Sequence, residues 1–432
     1  MVIISERTYH ICGHVNIVKD SLLSHVALIL ASQVVGVTKI YDIAFNSDII
    51  LTIKSLNLLG VKVRYNKNNR ICTIEGMGVG GFLCPKDVLY FNDPSIYMMM
   101  GCLSNCPFTS FLCGYTNLNI GNVMKPLLLM GARFVSNDNK LPAALVGCID
   151  MLPIKYETKE DEVKTAIMFA SLNTYGTTTI VSTPSQGQAS IIHMLRYFNV
   201  EVECFIDKDL INTVNISGQR ELYSKDVCIP NDFFCMLSFI IVALISNGSE
   251  ITILNVLLND RMKNLHKILV KMGANLFFIN ERRNAVGEEV VDLVVKGSVL
   301  QGIECLSSEN FDIDEYLFMV ILAAYSDGMT VLNGVLNVAF MDKRLRAVID
   351  ELIKCGVRIE VGVNYLIIYG CSSNILDWDS VDACYDFKMT VLFLVIGIIS
   401  NSFFEIKNVR KTSDLLTIIG LFNKHGAKIR IA

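Results

Sequence analysis

The sequence predicts an α/β protein: a two-domain inside-out barrel built from six helix-strand-helix-strand repeats, three to a domain. Three observations carry this. One unit recurs six times, about 70 to 80 residues apart. The helices leading each unit are apolar nearly all round, so they must be buried on every side. The strands between them are short and rich in β-branched residues. Helices packed inside and sheets outside satisfy all three, and two groups of three repeats give two lobes around a cleft. A solenoid is the competing arrangement for a long repeat, but solenoid helices usually keep one polar face.

The repeats are read off their punctuation. A helix-like apolar stripe ends at Gly or Asn and enters a strand at Leu59-Gly60-Val61-Lys62-Val63, at Met130-Gly131-Ala132-Arg133-Phe134 and at Phe198-Asn199-Val200-Glu201-Val202. The same pattern returns at Met272-Gly273-Ala274-Asn275-Leu276, at Cys355-Gly356-Val357-Arg358-Ile359 and at His425-Gly426-Ala427-Lys428-Ile429. Gly or Asn there suits a left-handed cap closing each helix. Between copies lie second helix-to-strand passages, with strands expected at Val37–Ile43, Phe108–Tyr115, Thr177–Thr183, Glu250–Val256, Thr330–Val335 and Phe403–Val409. The helices before them include Val163–Leu172, Met236–Ser246 and Phe318–Tyr325. Repeats one to three fall within residues 13–226; repeats four to six fall within 227–432, with residues 1–12 joining them.

Composition narrows the class. With 432 residues and 52% hydrophobic side chains, the chain can bury a large core. The longest apolar runs, Phe233–Ile245 and Met389–Ser400, fall short of the roughly 20 residues a membrane span needs, and read as buried helices. The start of the chain shows no basic region leading into an apolar stretch, so a cytoplasmic location is expected. Fourteen cysteines are scattered through apolar segments without metal-ligand spacing, which points to buried thiols, not disulfides or zinc. A net charge of −4, spread without long runs, leaves no footprint for nucleic acid or anionic lipid. The stretch Gly76-Met-Gly-Val-Gly-Gly81 fits a dinucleotide pattern literally, but Phe-Leu-Cys-Pro follows where a helix should open.

Several stretches together resemble the 5-enolpyruvylshikimate-3-phosphate synthase family over nearly the whole chain. They are Glu75-Gly-Met-Gly-Val-Gly-Gly-Phe-Leu-Cys-Pro85, Val163-Lys-Thr-Ala166 leading to Leu172-Asn-Thr-Tyr-Gly176, Ile251-Thr-Ile-Leu-Asn-Val-Leu-Leu-Asn259 and Ile313-Asp-Glu-Tyr316. The resemblance implies the enolpyruvyl transferase fold. It also implies transfer of the enolpyruvyl group of phosphoenolpyruvate to the 5-hydroxyl of shikimate 3-phosphate, with release of phosphate. Phosphoenolpyruvate and shikimate 3-phosphate are then the implied small-molecule partners. No metal or other cofactor is implied, and a monomer without nucleic-acid or membrane partners is expected.

Both substrates of the family are multiply anionic, so a cleft that holds them needs several Lys and Arg side chains. By the resemblance, many of those positions hold something else here. The family's early Lys-Ser pair and Arg align with Ser21, Leu22 and Val26 when Ser24-His25 is held in register. Lys19 could substitute only through a two-residue shift and reads otherwise as a solvated loop lysine. The turn whose backbone lies against phosphoenolpyruvate becomes Asn92-Asp93-Pro94-Ser95-Ile96, where proline removes a donor. An expected arginine falls near Leu118. The Ser-Ala-Gln that holds the shikimate phosphate becomes Glu160-Asp161-Glu162, and a Lys-Glu pair becomes Phe340-Met341.

What survives is Asp314, the candidate base, with Glu315 beside it, and the anion-binding candidates Arg344, Lys388 in Asp386-Phe387-Lys388, and Lys411. Ser21, Ser24 and Glu162 complete the implied substrate-binding positions. Asp314 fits a helix N-cap equally well, and Arg344 and Lys388 could be ordinary ion pairs. Three functions compete: a working synthase, a non-catalytic protein binding a small anion or a protein partner, and an enolpyruvyl transferase with a changed acceptor; the lost residues point to weak or no synthase activity.

Overall fold

All six helix ends marked by Gly or Asn adopt left-handed backbone in the computed structural model, which describes residues 1–66, 69–114, 118–182, 186–206, 212–305, 313–334, 342–362, 364–371, 380–400 and 403–432. Gly60, Gly131, Asn199, Gly273, Gly356 and Gly426 have φ between 74° and 119°, the region in which glycine carries no steric penalty. Each closes one helix and turns the chain into a strand.

Two units divide the chain, Lys19–Ile229 and Met1–Val18 with Pro230–Ala432. The first holds helices α1 (Ser21–Ser32), α2 (Ser47–Leu58), α3 (Ser95–Ser104), α4 (Gly121–Met130), α5 (Asp161–Ser171) and α6 (Gln186–Tyr197). The second holds α7 (Phe233–Ile245), α8 (Asp260–Lys271), α9 (Ile313–Ala324), α10 (Lys343–Lys354), α11 (Phe387–Ile399) and α12 (Ser413–Lys424). The odd-numbered helices are the apolar ones and are buried along most of their length. The even-numbered ones lie outside them and bury one stripe, as Leu345, Val348, Ile349 and Leu352 show in α10. Among the described residues, no helix is long and apolar enough to cross a membrane.

Six four-stranded sheets follow one plan. In the third repeat, Lys155–Glu157 runs parallel to Thr177–Ser182, which pairs antiparallel with Asn212–Ser217, and that strand in turn with Glu201–Ile206. Each repeat thus adds a hairpin return strand and a short parallel strand to the helix-strand-helix-strand path. The sixth repeat takes its return strand from the start of the chain: Ile3–Glu6 lies between Phe404–Lys407 and Lys428–Ile431. Likewise Cys12–Val15 supplies the fourth repeat's parallel strand beside Glu250–Leu257, and Val227–Cys228 supplies the first's beside Val35–Tyr41.

Glycine fixes how closely a return strand meets its core helix. A Cβ on Gly218 would sit 2.0 Å from the Thr174 carbonyl oxygen and 2.3 Å from that of Ser171, at the end of α5. A Cβ on Gly147 would sit 2.1 Å from the Cys106 carbonyl oxygen and 2.6 Å from that of Leu103, at the end of α3.

Candidate functional site

In the unit that contains α7 to α12, charged side chains gather where helices begin. Asp232 caps α7 through Cys235 N–H at 2.7 Å, and Asp386 caps α11 through Met389 N–H at 2.8 Å; short acidic side chains suit these positions because they accept from unpaired first-turn amides. α9 begins at Ile313, so Asp314 lies in its first turn and is not the cap. Its carboxylate receives both bonds from Lys388 Nζ, at 2.8 and 2.6 Å. Lys388 also lies 5.3 Å from the centre of the Phe234 ring.

Arg344, at the start of α10, grips Asp342 with Nε at 3.1 Å from Oδ1 and Nη2 at 2.6 Å from Oδ2. Burial pushes the arginine pKa down, but the bonds and charge of Asp342, with Asp314 and Asp386 further off, hold it above its ordinary value. Burial pushes the Asp342 carboxyl up, and Arg344 more than offsets that, keeping it below the usual carboxylate range. Lys411 is exposed in the segment before α12.

The structure therefore brings Asp314, Lys388 and Arg344 into one electrostatic cluster and leaves Lys411 outside its bonding. The same cluster holds a residue the sequence reading did not single out. Arg261, in the first turn of α8, donates from Nε to Glu315 at 2.9 Å and lies over the Phe233 ring at 3.7 Å. Glu315 is 4% exposed, so it faces inward, away from any solvent-borne acid-base role. The signal for Arg261 was present in Asn259-Asp260-Arg261: Asn259 caps α8 through Met262 N–H at 2.9 Å, which puts Arg261 in a first turn. Phe340-Met341 lies outside the described residues.

In the other unit, the two serines have structural work. Ser24 is fully buried; its hydroxyl donates to the Asp20 carbonyl at 2.7 Å and accepts from Ala44 N–H at 3.0 Å. Ser21 accepts from Asn46 Nδ2 at 3.0 Å. Lys19 departs from the expectation of a solvated lysine: its side chain is 7% exposed and its Nζ lies 3.2 Å from Asp42. The cause is a burial that only an ion pair makes affordable for a lysine head. Pro94 precedes α3 without any side-chain cap. Glu162 is exposed in the first turn of α5, next to Glu160 and Asp161.

The fold is that of the enolpyruvyl transferases. EPSP synthase from Acinetobacter baumannii superposes with a TM-score of 0.80 over 100% of both chains at 24% identity. The enolpyruvyl transferase NikO from Streptomyces tendae does so with 0.69 over 99% of this chain and 98% of its own at 14% identity. The family of EPSP synthase (3-phosphoshikimate 1-carboxyvinyltransferase) matches residues 6–414. A 3-phosphoshikimate 1-carboxyvinyltransferase of Paramagnetospirillum magneticum is 33% identical over 92% of this chain and 90% of its own. That of Zymomonas mobilis is 29% identical over 99% and 97%. The chain belongs to the EPSP synthase family.

Proposed function

We propose that this chain is an EPSP synthase homologue with an eroded site, which transfers the enolpyruvyl group of phosphoenolpyruvate to shikimate 3-phosphate weakly or not at all. The observation that carries the reading is the pairing of Lys388 with Asp314 and of Arg344 with Asp342. An incoming anion must compete with charge-assisted bonds already made, which are about twice as strong as neutral ones. The acidic run Glu160-Asp161-Glu162 supports the same reading, since each carboxylate near a phosphate costs on the order of a kcal/mol or more at close range. Asp314, bound to Lys388, is a base only after that bond opens. A cytoplasmic monomer without a cofactor goes with this reading.

The test is calorimetric titration of shikimate 3-phosphate into the purified protein, with and without phosphoenolpyruvate, together with an assay of phosphate release. Millimolar or absent binding and no release above background are expected. Micromolar binding that tightens with phosphoenolpyruvate, with steady turnover, would sink the proposal.

A further inference from the structure

Cys12, Cys84 and Cys384 are exposed, so the expectation of buried thiols fails at these three positions. Cys84 and Cys384 have no histidine near them in sequence, but Cys12 stands between two, in His10-Ile11-Cys12-Gly13-His14. His10, Cys12 and His14 are exposed, whereas Ile11 and Val15 are fully buried. That alternation is the period of a strand, so the thiol and the imidazoles stand on its outward side.

The strand that carries Cys12 and His14 is firmly placed. Cys12–Val15 runs parallel to Glu250–Ile253 in continuous register, with Cys12 beside Glu250 and His14 beside Thr252. Glu250 N–H donates to the Ile11 carbonyl at 3.1 Å. His425 holds Cys12 twice: its carbonyl accepts from Cys12 N–H at 3.2 Å, and its Nδ1–H donates to the Cys12 carbonyl at 2.9 Å. The ring nitrogen is the donor there because a carbonyl only accepts. Gly13 faces the same buried ring, since a Cβ on it would lie 3.6 Å from His425 Nδ1. The backbone under Cys12 is thus fixed while its side chain stands in solvent, and ligands carried on a fixed strand are held more precisely than ligands on a loop.

Two residues on one face of a strand, one position apart, start roughly 6.6 Å from each other. Zinc bonds a thiolate at about 2.3 Å and an imidazole at about 2.0–2.1 Å, and the length of the imidazole makes up the rest of that span. Thiolate with imidazole selects zinc and similar cations over magnesium and calcium, which take oxygen ligands. Glu250 bonds to Lys296 at 3.0 Å and is not counted as a ligand. Among the described residues, no group of three His, Cys, Asp or Glu side chains is gathered to hold a metal ion, so two protein ligands and water make up the shell.

We propose that Cys12 and His14 form a surface chelate for a thiophilic divalent cation of the zinc class, with no part in enolpyruvyl transfer. The Cys12 thiol gives its proton to solvent as the sulfur takes the ion, so one proton leaves for each ion bound. His14 binds as the neutral imidazole, through the nitrogen that carries no proton.

The experiment titrates the full chain, kept reduced, with cobalt(II) and then with zinc, beside Cys12→Ser, His14→Ala and His10→Ala. All three positions are exposed, so the variants fold, and melting temperatures check this. Bound cobalt should show thiolate-to-metal charge-transfer absorption in the near ultraviolet, which zinc abolishes with a dissociation constant on the order of micromolar. Cys12→Ser should remove the band, His14→Ala should weaken zinc binding about tenfold or more, and His10→Ala should leave it within about twofold. The inference is overturned by the absence of a band, or by a band that survives Cys12→Ser because Cys84 or Cys384 carries it. It is overturned equally by a zinc affinity that His14→Ala leaves unchanged, by a loss on His10→Ala as large as on His14→Ala, or by binding only at millimolar zinc.

Discussion

Asp314 and Glu315 are neighbours in sequence and point to different partners, one to Lys388 and the other to Arg261. Successive residues on a helix are turned well apart, so one carboxylate reaches the helix start of α11 while the next is enclosed. Replacing Glu315 by alanine leaves Arg261 without its buried counter-charge. The cost should be roughly 2–3 kcal/mol, below the range for a fully buried pair because Arg261 keeps 25% of its side chain exposed. Urea unfolding should show this as a lower midpoint, and adding Arg261→Met should recover part of it. His25 makes a second residue-scale prediction. It is buried, with Thr52 Oγ1 3.1 Å from Nδ1, and burial lowers its pKa to about 3. The unfolded imidazole takes up a proton near its ordinary 6.5 while the folded one does not, so stability is fully present above that pH. It is then lost as pH falls from there through the folded value. Between pH 7 and pH 5 this group alone should remove about 2 kcal/mol, and His25→Gln should lack that slope in urea titrations at the two pH values. What the sequence left open at this scale was pairing. It marked Asp314 as a candidate base or helix cap and Arg344 and Lys388 as anion-binding candidates or ordinary ion pairs, but the partners of Lys388 and Arg261 lie 74 and 54 residues away, a separation that no local pattern encodes.

At the scale of elements, the parts with local causes were legible and those with tertiary causes were not. The six left-handed caps follow from Gly or Asn at a helix end, and the six apolar helices from their composition. The hairpin return strands escaped notice because no repeated punctuation marks them, and some, such as Asn212–Ser217, are half polar, with a pattern that a turn or loop also shows. The contact between Gly218 and the end of α5 is tertiary. Gly218→Ala should cost on the order of 3 kcal/mol, because backbone on both sides must shift to admit the methyl. Gly420 is the control: it lies in the exposed part of α12 with nothing within 4 Å of a Cβ. Gly420→Ala should stabilise by about 0.5–1 kcal/mol, since it only removes freedom from the unfolded chain. Thermal melts of the two variants beside the parent chain should move in opposite directions.

For the whole molecule, the consequence of the repeat plan is an asymmetry between the units. Residues Lys19–Ile229 form their unit from one continuous stretch, whereas the other is assembled from Met1–Val18 and Pro230–Ala432. The short first stretch is structurally costly to lose. Ile3–Glu6 is an inner strand of the sixth repeat's sheet, with Ile3 facing Ile406 on one side and Ile431 on the other, and Cys12–Val15 pairs with Glu250–Ile253. Removing residues 1–18 strips a sheet of an inner strand and leaves Phe404–Lys407 and Lys428–Ile431 with unpaired backbone edges, which strands tolerate poorly. The buried Ile3, Ile11, Val15 and Ile17 also leave the core of that unit. The continuous unit contains none of these residues and keeps its three sheets. A chain lacking residues 1–18 should therefore lose one of two cooperative unfolding transitions, and limited proteolysis should yield a resistant fragment close to residues 19–229. A truncated chain that resists proteolysis throughout, or one that is digested throughout, would show that the two units do not fold as separate cooperative bodies.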